Sequence, residues 1–155
     1  MEAFRDAREG DLALACLALA RRFARGGQLL ALGQGACVTD AAHVAVEFLH
    51  PVLPGKRALP ALAVTPTSLA RLARPEDALL AMACRPPGAA FRRALRRARR
   101  HGLLTLALTG PEQVAADYHF PVASHDPWVI QEVAETAYHV LWELVHVFLG
   151  QEERG

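Results

Sequence analysis

Gln28-Leu29-Leu30-Ala31-Leu32-Gly33-Gln34-Gly35-Ala36-Cys37-Val38-Thr39-Asp40-Ala41-Ala42-His43-Val44-Ala45-Val46-Glu47 decides how this chain folds. An apolar run of strand character meets a Gly-x-Gly turn and then a helical pattern. Such a junction builds an anion site: glycine lets the backbone approach a ligand closely, and the first free N–H groups of a helix favour negative charge. His43 and Glu47 are four residues apart and share one helix face, within reach of the same partner. On spacing alone the pair reads equally as a hydrogen-bonded couple on a helix surface.

The rest of the chain repeats the alternation. Leu12, Cys16, Leu19 and Phe23 recur at helical steps over residues 12–25, and Gly26-Gly27 ends that pattern. Apolar runs follow at 28–33, 59–65, 78–84, 103–109 and 120–124, continuous rather than alternating, as strands covered on both faces are. Between them the spacing predicts helices at 39–50, 67–73, 88–101 and a short 111–116. A closing helix at 127–150 has Pro127 at its first position. This order predicts an α/β fold, a three-layer αβα sandwich around a five-stranded parallel sheet. The short connections assign residues 1–155 to a single domain. Ligands of such sheets bind beyond the carboxyl ends of the strands, which points to the loops at 33–40, 65–68 and 84–88.

Composition narrows the function classes. Hydrophobic residues make up 52% and charged residues 21% of the 155, a globular balance, and the formal charge of +1 gives a general polyanion binder no support. Arg92, Arg93, Arg96, Arg97, Arg99 and Arg100 interleave with Phe91, Ala94, Leu95 and Ala98, so they read as the solvated face of an amphipathic helix; nucleic acid is not an expected partner. Cys16, Cys37 and Cys84 form no CxxC and are odd in number, pointing to reduced thiols and a cytoplasmic setting. Residues 1–6 are charged, no apolar run is long enough to span a bilayer, and no membrane partner is expected.

Several segments together resemble one family. Residues 33–47 are similar to the G-N-G-G-S-A-A-D-A-x-H-F-A-x-E segment of the sugar isomerase (SIS) domain, in its phosphoheptose isomerase branch. Pro60-Ala61-Leu62-Ala63-Val64-Thr65 looks like that family's second strand, and Leu106-Ala107-Leu108-Thr109-Gly110 like its fourth strand and turn. Ile130-Gln131-Glu132-Val133, His139 and Leu141-Trp142-Glu143-Leu144-Val145 resemble its closing I-Q-E-x-H…H-x-L-C-E-L-V helix. The resemblance spans about residues 12–149.

It implies a flavodoxin-like, homo-oligomeric (tetrameric or dimeric) isomerase of a sugar phosphate, of the sedoheptulose 7-phosphate class. Glu47 and His139 stand at its acid/base positions. His43, Glu47, Gln131 and His139 stand where some members hold zinc. Gly33, Gln34, Gly35, Cys37, Arg85, Gly88, Thr109 and Gln131 stand where it binds substrate. The residue types suit an aldose–ketose interconversion, in which one base and one acid move protons between adjacent carbons and oxygens. Gln131 and His139 lie eight residues apart, roughly 12 Å along one helix, a separation that predicts a site completed by a second subunit.

The chain departs from the family at the substrate's anchor. Where the family holds phosphate with S-T-S-G-N-S, this sequence has Ala83-Cys84-Arg85-Pro86-Pro87-Gly88, without a hydroxyl and with two amide donors removed by proline. Arg85 is the replacement that can pair with a phosphate directly. Three readings follow: an isomerase with an altered anchor, a relative acting on another small polar ligand, or a retired SIS domain serving as an oligomeric interaction protein. The third is of the replication-initiator-associating or partner-subunit kind, and retention of Glu47 and His139 counts against it. Cys37 and Cys84 read either as pocket-lining soft ligands or as small buried fillers. On the closing helix, Ile130, Val133, Ala137, Leu141, Leu144 and Phe148 predict the core stripe, with Gln131, Glu135 and His139 in a separate polar row.

Overall fold

The structure, a computed structural model, describes residues 9–152, so the charged start at 1–6 lies outside the described residues. Helix α1 (Glu9–Ala24) leads into β1 (Leu29–Gln34), α2 (Cys37–Leu49), β2 (Ala61–Val64), α3 (Pro66–Leu72), β3 (Ala78–Ala83), α4 (Ala89–Arg100), β4 (Leu104–Thr109), β5 (Tyr118–Pro121) and α5 (Pro127–Glu152). The five strands form one all-parallel sheet in the order β2-β1-β3-β4-β5. Every residue of β3 and β4 is buried, as the unbroken apolar runs require of central strands covered on both sides.

One core packs α1, α2 and α5 against the first face, through Leu19, Phe48, Leu80 and Tyr138. The other packs α3 and α4 against the second, through Leu30, Leu69, Leu79 and Leu95. On α4 the apolar residues Phe91, Ala94, Leu95 and Ala98 are buried, while Arg93, Arg96, Arg97 and Arg100 are exposed. On α5 the buried line runs through Ile130, Ala134, Ala137, Tyr138, Leu141, Trp142, Val145 and Leu149. It is broader than the spacing predicts because α5 is flanked by both α1 and α2, and the α2 side covers Tyr138 and Trp142.

Two segments differ from the sequence expectation. Residues 111–116 form no helix: the carbonyls that would start one are taken by side chains, with Thr109 Oγ1 on Glu112 O (3.4 Å) and Arg92 donating to Gln113 O (2.6 Å). Strand β5 also begins earlier than predicted, because Asp117 N bonds Thr105 O (3.0 Å) and its carboxylate accepts from Thr105 N (2.9 Å), pulling the chain into the ladder.

The amino ends of β1 and β3 are tied by one buried carboxylate. Asp77 is fully buried and accepts from Gln28 N (3.1 Å), Arg74 N (2.9 Å) and the Arg74 guanidinium (3.2 Å). Asp77→Ala leaves those amides without an acceptor, and hydrogen bonds to a charged group contribute about 1.5–3 kcal/mol each. The variant is expected to lose about 3 kcal/mol in urea unfolding; a loss below about 0.5 kcal/mol would show that water replaces the carboxylate.

Candidate active site

The sheet changes winding direction between β1 and β3, and their carboxyl ends open the crevice at which such folds bind ligands. Two glycines shape the β1 exit. At Gly33 a Cβ would run into the carbonyl of Cys37, so the first turn of α2 lies directly on the strand backbone. Gly35 makes the turn itself with φ +62, the left-handed region that glycine enters without strain.

Helices α2 and α4 both begin at this edge without a side-chain cap; on α2 the Val38 and Thr39 amides turn back to Gly35 O (3.2 Å) and Ala36 O (3.1 Å), so the Cys37 amide and the helix dipole are what its start offers an anion. By contrast, α3 is closed by a Thr65–Ser68 capping box, and Asp126 accepts from Trp128 N (2.9 Å) at the start of α5. Gln34 clamps the two loops together, accepting from Gly88 N (2.7 Å) and donating to Pro86 O (3.1 Å). The Gly88 amide is therefore engaged by Gln34. Arg85 is exposed beside it with no partner among the described residues.

Cys37 and Cys84 are buried and hydrogen-bonded to each other, and burial first, then Cys84, pushes the Cys37 thiol far above the usual range. Both pack at the base of the loops, and with its thiol held protonated any ligand contact by Cys37 is through its backbone amide. Thr109 does not join the site as expected. It is fully buried, with its hydroxyl on Gly110 O (2.9 Å) and against His119 Nε2 (2.8 Å).

The polar faces of α2 and α5 meet in a series of parallel rungs. Gln131 Nε2 donates to Asp40 Oδ2 (3.0 Å); Tyr138 Oη lies 3.2 Å from His43 Nδ1; Trp142 Nε1 donates to Glu47 O (3.0 Å). Between the last two, Glu47 Oε1 lies 3.2 Å from His43 Nε2 and 2.9 Å from His139 Nε2. Residues 40, 43 and 47 on one helix and 131, 135, 138 and 142 on the other each form a single stripe, which is why the rungs line up. One chain alone thus assembles the Glu47–His139 pair.

Burial, with Asp40, Glu135 and Glu47 nearby, pushes the Tyr138 hydroxyl well above its usual range, so it stays a phenol. In the neutral His43 ring, Nδ1 accepts from that phenol and Nε2–H faces Glu47, a chain of hydrogen bonds that orients the carboxylate. The side chains of His43 and His139 are 44% and 43% accessible against 26% for Glu47, so the imidazoles face outward and the carboxylate sits behind them. Gln131, the further expected metal ligand, stands two helical turns from His139 with its amide nitrogen donating to Asp40. Asp40, Tyr138 and Trp142 are the participants that spacing did not single out. Asp40 stands within the opening motif, and Tyr138 and Trp142 are marked only by their place beside His139 on α5.

The phosphoheptose isomerase of Desulfovibrio desulfuricans is 35% identical over 156 residues, covering 86% of this chain and 74% of the relative. The chain belongs to the phosphoheptose isomerase family. A second phosphoheptose isomerase, from Roseiflexus sp., is 31% identical over 153 residues, covering 84% of this chain and 78% of that one. Among solved structures, the phosphoheptose isomerase from Francisella tularensis superposes with a TM-score of 0.83 at 22% identity over 93% of this chain and 89% of that one. The Neisseria gonorrhoeae enzyme gives 0.71 at 18% identity over 87% and 85%. These two structures establish the shared SIS fold. No family model matches the chain. This member of the phosphoheptose isomerase family shares the all-parallel α/β fold of those structures.

Proposed function

We propose that this protein interconverts the ketose and aldose forms of a seven-carbon sugar phosphate, with Glu47 as the base and His139 as the acid. The observation that carries the reading is the 2.9 Å contact between Glu47 Oε1 and His139 Nε2 at an accessible helix seam. On a 2-ketose, Glu47 takes a proton from C1 while the imidazolium of His139 protonates the C2 oxygen, giving an enediol. Return of the Glu47 proton to C2, with the O1 proton passing to His139, yields the aldose and restores both residues. The groups are adjacent, and each acts on one of the two neighbouring atoms that exchange hydrogen.

The donor set also fits zinc: His43, His139 and Glu135 each offer one ligand atom within 4.8 Å of the others, and Glu47 Oε1 faces both imidazoles. Bound zinc would supply Lewis acidity at the substrate carbonyl, in place of the proton that His139 gives when its ring is free of metal.

The phosphate belongs at the uncapped starts of α2 and α4, with Arg85 as the charged anchor in place of the family's hydroxyls. Arg85→Ala is expected to raise KM by about 10- to 100-fold with kcat little changed, the effect of one charge-assisted hydrogen bond. Steady-state kinetics on sedoheptulose 7-phosphate decide it. An unchanged KM would place the phosphate elsewhere.

A homo-oligomer completes this reading. Glu47 lies ten residues beyond the start of α2, roughly 15 Å along its axis, so a phosphate at that start and a carbon at Glu47 are more readily bridged between copies than within one. Val38, Val46 and Val140 are exposed along the outer faces of the same two helices, apolar surface that a second copy would cover. A cytoplasmic setting suits the three unpaired cysteines, and no helix among the described residues is long and apolar enough to cross a membrane.

A further inference from the structure

Helix α4 carries two kinds of arginine. Arg92 and Arg99 brace the fold: the first donates to Pro87 O (3.0 Å) and Gln113 O (2.6 Å), the second to Asp117 Oδ1 (2.9 Å). Arg93, Arg96, Arg97 and Arg100 are exposed and have no partner among the described residues. They stand at steps of three and four residues, in one stripe roughly 10 Å long on a single helix face. Like charges at those spacings repel one another and weaken a helix. The helix dipole accounts for basic residues in the last turn, Arg97, Arg99 and Arg100, but not for Arg93 and Arg96 in the middle.

The stripe borders a hollow. All four side chains, with Pro66, Ala90 and Ala94, line a groove of about 300 Å³. Pro66, Ala94 and Arg97 are shared with a narrower hollow of about 60 Å³, which runs between α3 and α4 over Leu69 and Ala73 to His101. No carboxylate lines either one, and neither α3 nor α4 contains an acidic residue. The chain as a whole carries a formal charge of only +1, so the positive charge is concentrated at this groove. Arginine meets a phosphate through two parallel N–H donors, and its planar face stacks on a ring. Several such forks in a row match several phosphates in a row, beside an apolar surface on which the rest of a ligand can rest.

We infer that the α3–α4 groove binds a small molecule carrying two or more linked phosphates. Nucleoside triphosphates and inorganic polyphosphate share that chemistry, and the probes below tell them apart. The groove belongs to the helices packed on the second face of the sheet, whereas Glu47 and His139 lie on α2 and α5 on the first, so this site stands apart from the isomerase reading.

The test is calorimetric titration of the full chain at low ionic strength with ATP and with tripolyphosphate, and with AMP and a mixed-sequence single-stranded oligonucleotide as the contrasting probes. At least one of the first two is expected to bind in the micromolar range, more weakly as salt is added, with the tighter of the two naming the source. AMP is expected to bind at least tenfold more weakly. Arg93→Gln/Arg97→Gln is expected to lose at least tenfold in affinity for the tighter probe, and Arg97→Gln alone, at the residue shared by both hollows, at least threefold. These changes remove mutually repelling surface charges, so the variants are expected to fold as before. Arg85→Ala, on the substrate side, is expected to stay within twofold. The inference is overturned if neither ATP nor tripolyphosphate binds below about 1 mM, or if the double variant binds as well as the unaltered protein. It is equally overturned if Arg85→Ala loses as much as the double variant, or if AMP matches ATP. An oligonucleotide bound tenfold more tightly than either probe overturns it in favour of a nucleic-acid surface.

Discussion

Glu47→Gln is expected to lower kcat for sedoheptulose 7-phosphate by roughly 10²- to 10⁴-fold, the range for removing a positioned general base. The substitution keeps shape and an acceptor oxygen toward His43 and His139, so the α2–α5 seam should persist. Trp142 donates to the backbone carbonyl of residue 47, which the change does not touch. What is lost is the ability to take a proton from carbon. Because Glu47 has no part in the proposed phosphate anchor, KM should move only a few-fold, which separates a chemical defect from a binding one. A variant retaining more than about a tenth of the original kcat would mean that another group does the abstraction.

Gly33→Ala is expected to be the most damaging single change to the scaffold, costing about 3 kcal/mol or more in chemical unfolding. The added methyl group would collide with the Cys37 carbonyl and the Val38 amide, backbone atoms that no rotamer change can move aside. Relief requires lifting the first turn of α2 off β1. That would also separate Cys37 from Cys84 and displace the start of α2, the proposed phosphate site. Gly35→Ala acts differently: nothing lies within 4 Å of its missing Cβ, so its cost comes from the φ of +62 alone and should be about 1 kcal/mol. Equal losses at the two positions would contradict the packing explanation.

The contrast between those glycines marks what the sequence discloses. A Gly-x-Gly after an apolar run announces a strand-to-helix junction, and the β1–α2 unit stands where the motif put it. Continuous apolar runs located β1, β3 and β4 well, since strands buried on both faces have little freedom in composition. The edge strand β5 and residues 111–116 were less legible, because their conformation is set by distant partners. Asp117 is drawn into the ladder by Thr105, and the carbonyl of Gln113 is held by Arg92 from another element. No local pattern encodes such contacts.

The candidate site divides in the same way. His43 and Glu47 share a helix face by spacing alone, and the family resemblance brings His139 to them; the structure joins the three through one carboxylate oxygen. Spacing could not reveal that Gln131 pairs with Asp40, since that depends on the longitudinal register of α5 against α2. Thr109 followed the family pattern, yet a hydroxyl satisfied by Gly110 and His119 has nothing left to offer a ligand. Tyr138 was invisible because a buried aromatic on a core helix ordinarily signals packing, and only its approach to His43 shows a second role.

The most direct measurement is proton NMR of sedoheptulose 7-phosphate incubated with the purified protein in heavy water. The expected result is aldose formation with loss of C1 proton signal as solvent deuterium enters through Glu47, and neither event with Glu47→Gln. Binding of the sugar phosphate with no exchange at C1 and no aldose, or exchange at the same rate in Glu47→Gln, would contradict the assignment of an acid/base pair to the seam between α2 and α5.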